Sequence, residues 1–438
     1  MSPNADIIAE CVLRAVSALP AKFKPRSLAD GRKEWTPVAG IVLSKGDVRE
    51  PGERYLSSAK VTSNGRREDS TAHVTCVALA TGMKCLPAAK LSLANGNVLH
   101  DWHAEILALR AFNRWILDEC KSLVESGQTH GEWIGRRAQS ARTRCERDSV
   151  YTVTSSGHSD QPFIIRNDVN IHMYCSEAPC GDASMELVMS AQEDATPWPE
   201  PAPSETEDGM LGRGHFDQLG VVRRKPARPD APVTLSKSCS DKLSMKQCTS
   251  LLSSLTNLIV HPANAYLETL VLPQSQLVAP ACDRAFGPAG RMAAVTADSV
   301  VQDWQERGYR YQPFKMEGTT REFEFSRRSA VPDAVASNLS AVWTAHRQEV
   351  LINGVLQGRK QFDTRGASCV SRRQMWKEVS ALVVTMNEEV LYSAICQGTY
   401  GMIKGNDLLR ARRLVKSQAK QLALQRWRDN SGDDDWSI

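Results

Sequence analysis

The sequence predicts an α/β protein with an α/β/α layered core. Three observations carry this. Apolar, β-branched runs and helix-patterned runs follow one another as strand, strand, helix, strand, helix. The composition, 42% hydrophobic and 24% charged, is that of a soluble globular chain. No run of eighteen apolar residues suggests a membrane span. The first twenty residues lack a basic segment ahead of an apolar one, so no secretory signal is expected.

In chain order, Ile7, Ile8, Cys11, Val12, Val16 and Leu19 recur at helical spacing over 5–19, and Pro20 closes that helix. Residues 35–43 and 72–80 are β-branched and strand-like, the second closed by Thr81-Gly82. Residues 103–117 hold no Gly or Pro and carry apolar residues in several directions, which predicts a largely buried helix. Strands are expected at 163–165 and 169–174, and a short helix at 182–189. Residues 192–218, rich in Pro, Glu, Gly and Asp, are expected to form a flexible or solvent-exposed insertion. A basic loop at 222–231 and a helix at 242–260 follow, then a mixed α/β stretch beyond Pro262. The last helix is expected over 407–427, basic on one side and apolar on the other, and the acidic tail 430–438 is expected to fray.

The twelve cysteines are too sparse for a disulfide scaffold, which points to a reducing compartment, nucleus or cytoplasm. A net charge of +4 neither demands nor excludes a nucleic-acid partner, so local charge must decide.

Two short motifs carry the chemistry. His103-Ala104-Glu105 opens the buried helix, and Pro179-Cys180-Gly181-Asp182 lies where a strand turns into a helix. A histidine two residues before a glutamate, with a later Pro-Cys step, is the signature of a zinc-dependent base deaminase. The usual signature has a second cysteine three residues after the first, but position 183 is Ala. A catalytic zinc needs three protein ligands and a position for water. His103 and Cys180 are two candidates. For the third, Cys175 falls on the strand and Cys248 inside a helix, whereas Cys239 sits at a strand-to-helix junction like that of Cys180 and fits best. In this chemistry zinc activates water, and Glu105 takes the proton from that water, hands it to the ring nitrogen and then assists departure of ammonia. Adenine would be attacked at C6 and cytosine at C4, and the motif does not separate them.

The stretches ATGMKCL at 80–86, DWHAEILALRAF at 101–112, SEAPCGDASM at 176–185 and TLSKSCSDKL at 234–243, with SRRQMW at 371–376 as a weaker match, resemble the catalytic domain of the adenosine deaminases acting on RNA. Within that family the chain is most similar to the tRNA-acting branch, in a fungal-looking version, over about residues 5–428. The resemblance implies a cytidine-deaminase-like three-layer α/β/α core with a mixed sheet, extended by family-specific helices and strands, and one deaminase domain over 1–438. It implies His103, Cys180 and Cys239 as zinc ligands and Glu105 as proton shuttle. The implied activity is adenosine-to-inosine conversion at position 37 of alanine tRNA, with no membrane and no obligate protein partner. It also implies a buried inositol hexakisphosphate, for which Arg110, Lys242, Arg372 and Lys404 match, joined by Arg410, Arg413 or Lys416 from the basic C-terminal helix. A relay of Lys242, Asp101 and Lys225 would join that cofactor to the zinc. The RNA-binding double-strand editors carry separate RNA-binding domains ahead of the catalytic part, and no space for one is expected here. RNA contacts are expected from Lys84 and from the loop bearing Arg223, Arg224 and Arg228.

Three positions depart from the family pattern: Lys246 replaces a tryptophan, Met245 an arginine and Ser184 an arginine. The competing readings are a deaminase of other structured RNA, an RNA cytidine deaminase, a non-catalytic RNA-binding protein and a structural zinc site. An intact Glu105 argues against the non-catalytic reading, and a structural site would need a fourth protein ligand.

Overall fold

The computed structural model describes residues 3–46, 74–137, 161–192, 196, 210–212, 215–225, 231–329 and 333–438. An eight-stranded mixed sheet organises them. Its strands are β1 (Val38–Lys45), β2 (Val74–Thr81), β3 (Val169–Cys175), β4 (Leu267–Pro273), β5 (Lys315–Thr319), β6 (Leu339–Thr344), β7 (Arg347–Ile352) and β8 (Val355–Leu356). Their order is β5-β4-β3-β1-β2-β6-β7-β8. β3, β4 and β5 run parallel to one another, and β1 is antiparallel to both β2 and β3.

That topology positions the site. Because β2 and β3 both oppose β1, they run the same way and their carboxyl ends meet at one edge of the sheet. In α/β sheets ligands bind outside strand carboxyl ends. β2 leads to His103 and β3 leads to Cys180.

The two sheet faces are covered by different helices, as expected for three layers. Ala39, Ile41 and Leu43 of β1 join the cluster formed by helix α2 (Ala104–Glu125), with Leu107, Ala108, Ala111 and Phe112. Val38 and Val42 alternate to the other face, where helix α1 (Ala5–Ser17) packs Ile8, Ala9, Val12 and Val16. This period-two alternation is that of a strand buried on both faces.

The remaining elements differ from the sequence expectation in instructive ways. Helix α2 extends to Glu125 rather than residue 117. Phe163–Ile165 is a strand, but it joins a small side sheet with Ile134–Arg136 and Val260–His261. The helix expected at 242–260 is two: α3 (Cys239–Thr249) and Ser254–Ile259. Ser250, at φ 61°, breaks the first, and Ser253 caps the second by accepting from Thr256 N. Of the 192–218 insertion, much lies outside the described residues. Met210–Leu211 pair with Arg223–Arg224, and Phe216 is buried. The last helix ends at Leu422, before residue 427. Among the described residues no helix is long and apolar enough to cross a membrane.

The acidic tail is the clearest correction. It does not fray. Trp436 is buried and stacks on Tyr400 at 5.0 Å between ring centroids, with Trp376 at 5.4 Å. Asp433 accepts from Gly96 N at 2.8 Å, from His100 Nε2 at 2.7 Å and from Arg372 at 3.1 Å. The negative run that suggested a solvated end is the set of carboxylates that clasps it down. We expect Trp436→Ala to cost about 3–5 kcal/mol. A urea titration checks this, and an unchanged midpoint would mean that the tail adds nothing to the fold.

Candidate active site

His103 is the N-cap residue of α2, in extended conformation, and Glu105 lies in the first turn. The chain reaches them through a close pass at Gly82. Its carbonyl accepts from Ala104 N, and a Cβ there would lie 2.3 Å from both Ser340 Oγ and the Trp102 carbonyl. At φ 139° only glycine is comfortable.

Cys180 and Cys239 come from the two junctions singled out in the sequence, and hydrogen bonds stitch these together. Ser240 N donates to the Cys180 carbonyl at 3.0 Å, Ser240 Oγ to the Pro179 carbonyl at 2.9 Å, and Ala183 N to Ser240 Oγ at 3.1 Å. Gly181, at φ 104°, permits the approach, since a Cβ would meet Ser238 Oγ at 2.3 Å. Ser238 caps α3, accepting from Asp241 N while donating to the Asp241 carboxylate at 2.6 Å. The Cys239 amide, at the amino end of α3, donates to Cys180 Sγ at 3.3 Å. A thiolate at Cys180 is thereby favoured by a helix terminus.

The charges of these groups are strongly coupled. A hydrogen bond from Cys239 holds Cys180 well below the thiol range against its burial, helped by Lys225 and His103. Burial, with the Cys180 charge, pushes Cys239 well up. Burial pushes the Glu105 carboxyl above its ordinary value, and the Cys180 charge adds to this. Glu105 is 6% exposed, so this acid can hold a proton where a solvated glutamate would not.

Behind the histidine stands Asp101. Its Oδ1 accepts from His103 N at 3.0 Å and lies 2.9 Å from His103 Nδ1. Its Oδ2 accepts from Lys225 Nζ at 2.9 Å, from Ser236 Oγ at 2.8 Å and from Lys242 Nζ. Lys225 Nζ also reaches Cys239 Sγ at 3.2 Å. The expected set Lys242, Asp101 and Lys225 is thus one connected network ending on a cysteine. Burial works against the Asp101 charge, but Lys225, Lys242 and His103 hold it well below the carboxylate range. Burial and Lys225 oppose the charged imidazole of His103, yet Asp101 and Cys85 outweigh them and push it up to about 10. A metal on this ring would displace that proton.

Cys85 was not foreseen. Its Sγ lies 3.6 Å from His103 Nδ1, and ligand atoms of Cys85, Asp101 and His103 all lie within 4.8 Å of one another. Its place after Thr81-Gly82, in the ATGMKC stretch, was the available signal.

His103, Glu105, Cys180, Lys84, Arg224 and Lys225 line a cleft of about 1190 Å³. The three RNA-contact arginines part company. Arg223 borders the cleft but is 1% exposed, and its guanidinium donates to the carbonyls of Gly212, His215 and Gln218, so it braces the loop. Arg224 lines the cleft. Arg228 lies outside the described residues. Lys84 lines the cleft and donates to Asn338 Oδ1.

Beneath the Asp101 network, cations gather from three helices. Arg110 on α2, Lys246 on α3, and Arg412 and Lys416 on the C-terminal helix α4 (Arg410–Leu422) lie close enough to act on one another. Burial, then these like charges, holds Lys246 well below the lysine range. Its Nζ is held by the Leu251 and Leu252 carbonyls at 3.1 and 2.7 Å, with no carboxylate on it among the described residues. Burial depresses Lys416 too, against Asp429. Arg372 and Lys404 belong to the same region, tied to Asp433 and Asp434 of the tail. Burial, then Lys242, lowers Lys237 to about 7. Two expected members do other work: Arg413 donates to the Lys404 and Asn406 carbonyls, and Arg410 is exposed with no ion pair among the described residues. Helix phase accounts for Arg410, which lies about 160° round the helix from Arg412, whereas Arg413 is taken up by its two carbonyls. Lys246, first counted as a departure, is inside the cluster.

Comparison with known proteins agrees with the geometry. A model of the adenosine-deaminase (editase) domain matches residues 78–431. The tRNA-specific adenosine deaminase 1 of Schizosaccharomyces pombe is 34% identical over 436 residues, 98% of this chain and 96% of that protein. The protein of that name from Saccharomyces cerevisiae is 28% identical over 274 residues, 60% of this chain and 56% of its own length. The double-stranded RNA-specific editase Adar of Drosophila melanogaster is 25% identical over 206 residues, 45% of this chain and 26% of its own. With its deaminase motifs gathered at one cleft and the family model spanning most of its length, the chain belongs to the adenosine-deaminase (editase) domain family and is a hydrolytic adenosine deaminase.

Proposed function

We propose that the chain deaminates adenosine to inosine in tRNA, at position 37 of alanine tRNA, using one zinc ion held by His103, Cys180 and Cys239. The observation that carries this reading is the convergence of Glu105, His103 and Cys180 at one cleft, with the Cys239 amide hydrogen-bonded to Cys180 Sγ behind it. The similarity to a tRNA-specific deaminase over nearly the whole chain supports tRNA over duplex RNA.

The donor types of His103, Cys180 and Cys239 suit zinc, although among the described residues the only three ligand atoms within 4.8 Å of one another are those of Cys85, Asp101 and His103. The Cys180 thiol is held well below its ordinary range by its hydrogen bond from Cys239, and His103 is oriented by a carboxylate, the arrangement common behind ligating histidines. A rival trio of Cys85, Asp101 and His103 is less suited, because both Asp101 oxygens are engaged by His103, Lys225, Ser236 and Lys242. Bound there, zinc supplies the Lewis acidity that makes water a nucleophile near neutral pH. Glu105 then takes a proton from the attacking water and delivers it to the adenine ring nitrogen. As the water oxygen bonds to C6, the C6–N1 double bond gives way to take the first proton; Glu105 then moves the second proton from the new C6 hydroxyl to the exocyclic nitrogen, and the C6–N bond breaks to release ammonia and leave the C6 carbonyl.

The cation cluster of Arg110, Lys246, Arg372, Lys404, Arg412 and Lys416 is the proposed seat of inositol hexakisphosphate. Buried like charges repel and lose hydration, and a polyanion relieves both costs. Lys242, Asp101 and Lys225 link this seat to the cysteines.

Metal analysis of purified protein should find one zinc per chain, falling sharply in Cys239→Ala. Mass spectrometry of denatured wild-type protein should release one equivalent of inositol hexakisphosphate, and Lys246→Glu should release little. Full zinc in the cysteine variant, or no polyphosphate in wild type, would overturn the respective assignment.

A further inference from the structure

We propose that Arg224 anchors a backbone phosphate beside the target nucleotide and so sets affinity for RNA. This rests on the reading of the cleft as an RNA adenosine site.

Arg224 is 8% exposed and lines the cleft with His103, Glu105 and Cys180. Its Nε is buried without a hydrogen-bond partner. Among the described residues no carboxylate or carbonyl engages its guanidinium. Its neighbour Arg223 spends its guanidinium on three carbonyls. Elsewhere in the cleft Arg328 is paired with Glu177 and Glu322, and Lys225 with Asp101. A buried, unanswered guanidinium is costly to keep, and an anionic ligand is what would answer it.

The backbone holds Arg224 firmly. Leu211 pairs with it in parallel register, Gly212 N donates to its carbonyl at 2.9 Å, and a bridge joins it to Lys237. It immediately precedes Lys225, whose Nζ touches both Asp101 and Cys239. An anion on Arg224 is therefore held at a fixed place relative to the catalytic cluster. A planar guanidinium fork matches two phosphate oxygens, which an ammonium cannot do in the same geometry. A base extruded from its stack brings its flanking phosphates to the mouth of such a cleft.

Single-turnover deamination of alanine tRNA by wild type, Arg224→Gln and Arg224→Lys tests this. The glutamine variant should need roughly tenfold more tRNA for half-maximal rate, the equivalent of one lost charge-assisted hydrogen bond. Its dependence of log affinity on log salt should flatten by about one ion. The lysine variant should restore the salt slope but only part of the affinity. Zinc content, retained inositol hexakisphosphate and unfolding midpoint should match wild type. With RNA carrying a neutral methylphosphonate at one phosphate flanking the target, wild type should lose about as much as the glutamine variant, and the variant should lose no more.

Unchanged affinity and salt slope would overturn the proposal, as would equal methylphosphonate penalties in both proteins at every flanking position. Loss of inositol hexakisphosphate from the variant would place Arg224 in the polyphosphate seat instead and also overturn it. Absence of inosine with wild type would contradict the deaminase reading rather than this one.

Discussion

Glu105→Gln is expected to lower the rate of inosine formation by on the order of 10²–10⁴-fold while leaving the fold and the zinc in place. The side chain is buried at the start of α2, and glutamine fills the same space. What it loses is the ability to accept and return a proton. Burial, with the Cys180 charge, raises the Glu105 pKa, so wild type should show an acid limb. As pH falls through that raised value the carboxylate takes a proton, can no longer act as base, and the rate drops. The variant has no such group, so its residual rate should lack this limb. Single-turnover rates across pH, with metal analysis of the same samples, measure both. A variant within a few-fold of wild type would remove Glu105 from the chemistry.

Asp101→Ala should strongly lower stability. Asp101 is the counter-charge for Lys225 and Lys242 and the support for His103. Removing one partner of a buried ionic network leaves uncompensated charge, which costs about 3–5 kcal/mol. The sign with pH follows from its depressed folded pKa. The Asp101 contribution is present above the unfolded value of about 3.9 and is lost only as pH falls through the lower folded value. The gap between wild type and variant should thus persist across neutral pH and close only in strong acid. Urea midpoints at neutral and acid pH check this. Asp101→Asn, which keeps an acceptor, should fall between. Equal stability of wild type and the alanine variant would mean that the lysines find other partners and that the relay is not structural.

The sequence made the catalytic core legible because each part is local. His103 and Glu105 sit two apart at a helix start, and Cys180 and Cys239 both sit where extended chain turns into helix. Chemistry, spacing and turn residues agree there. What stayed hidden depends on the third dimension. Arg223 and Arg224 are equivalent in a basic loop, and only the folded positions of the Gly212, His215 and Gln218 carbonyls decide that the first guanidinium is engaged while the second is not. Lys246 read as a departure from a tryptophan pattern, because nothing local shows Arg110 and Arg412 converging on it. The tail misled for a related reason. Its aspartates outvoted Trp436, whose partners Tyr400 and Trp376 lie far away along the chain. Ser250 breaks a helix within an apolar run where no Gly or Pro announces it.

The most direct test of the central claim is nucleoside analysis of unmodified alanine tRNA after incubation with the purified protein. The account predicts inosine at position 37, one ammonia released per inosine, and no cytidine converted to uridine. Unchanged adenosine at that position with zinc-loaded protein, or uridine as the product, would contradict it.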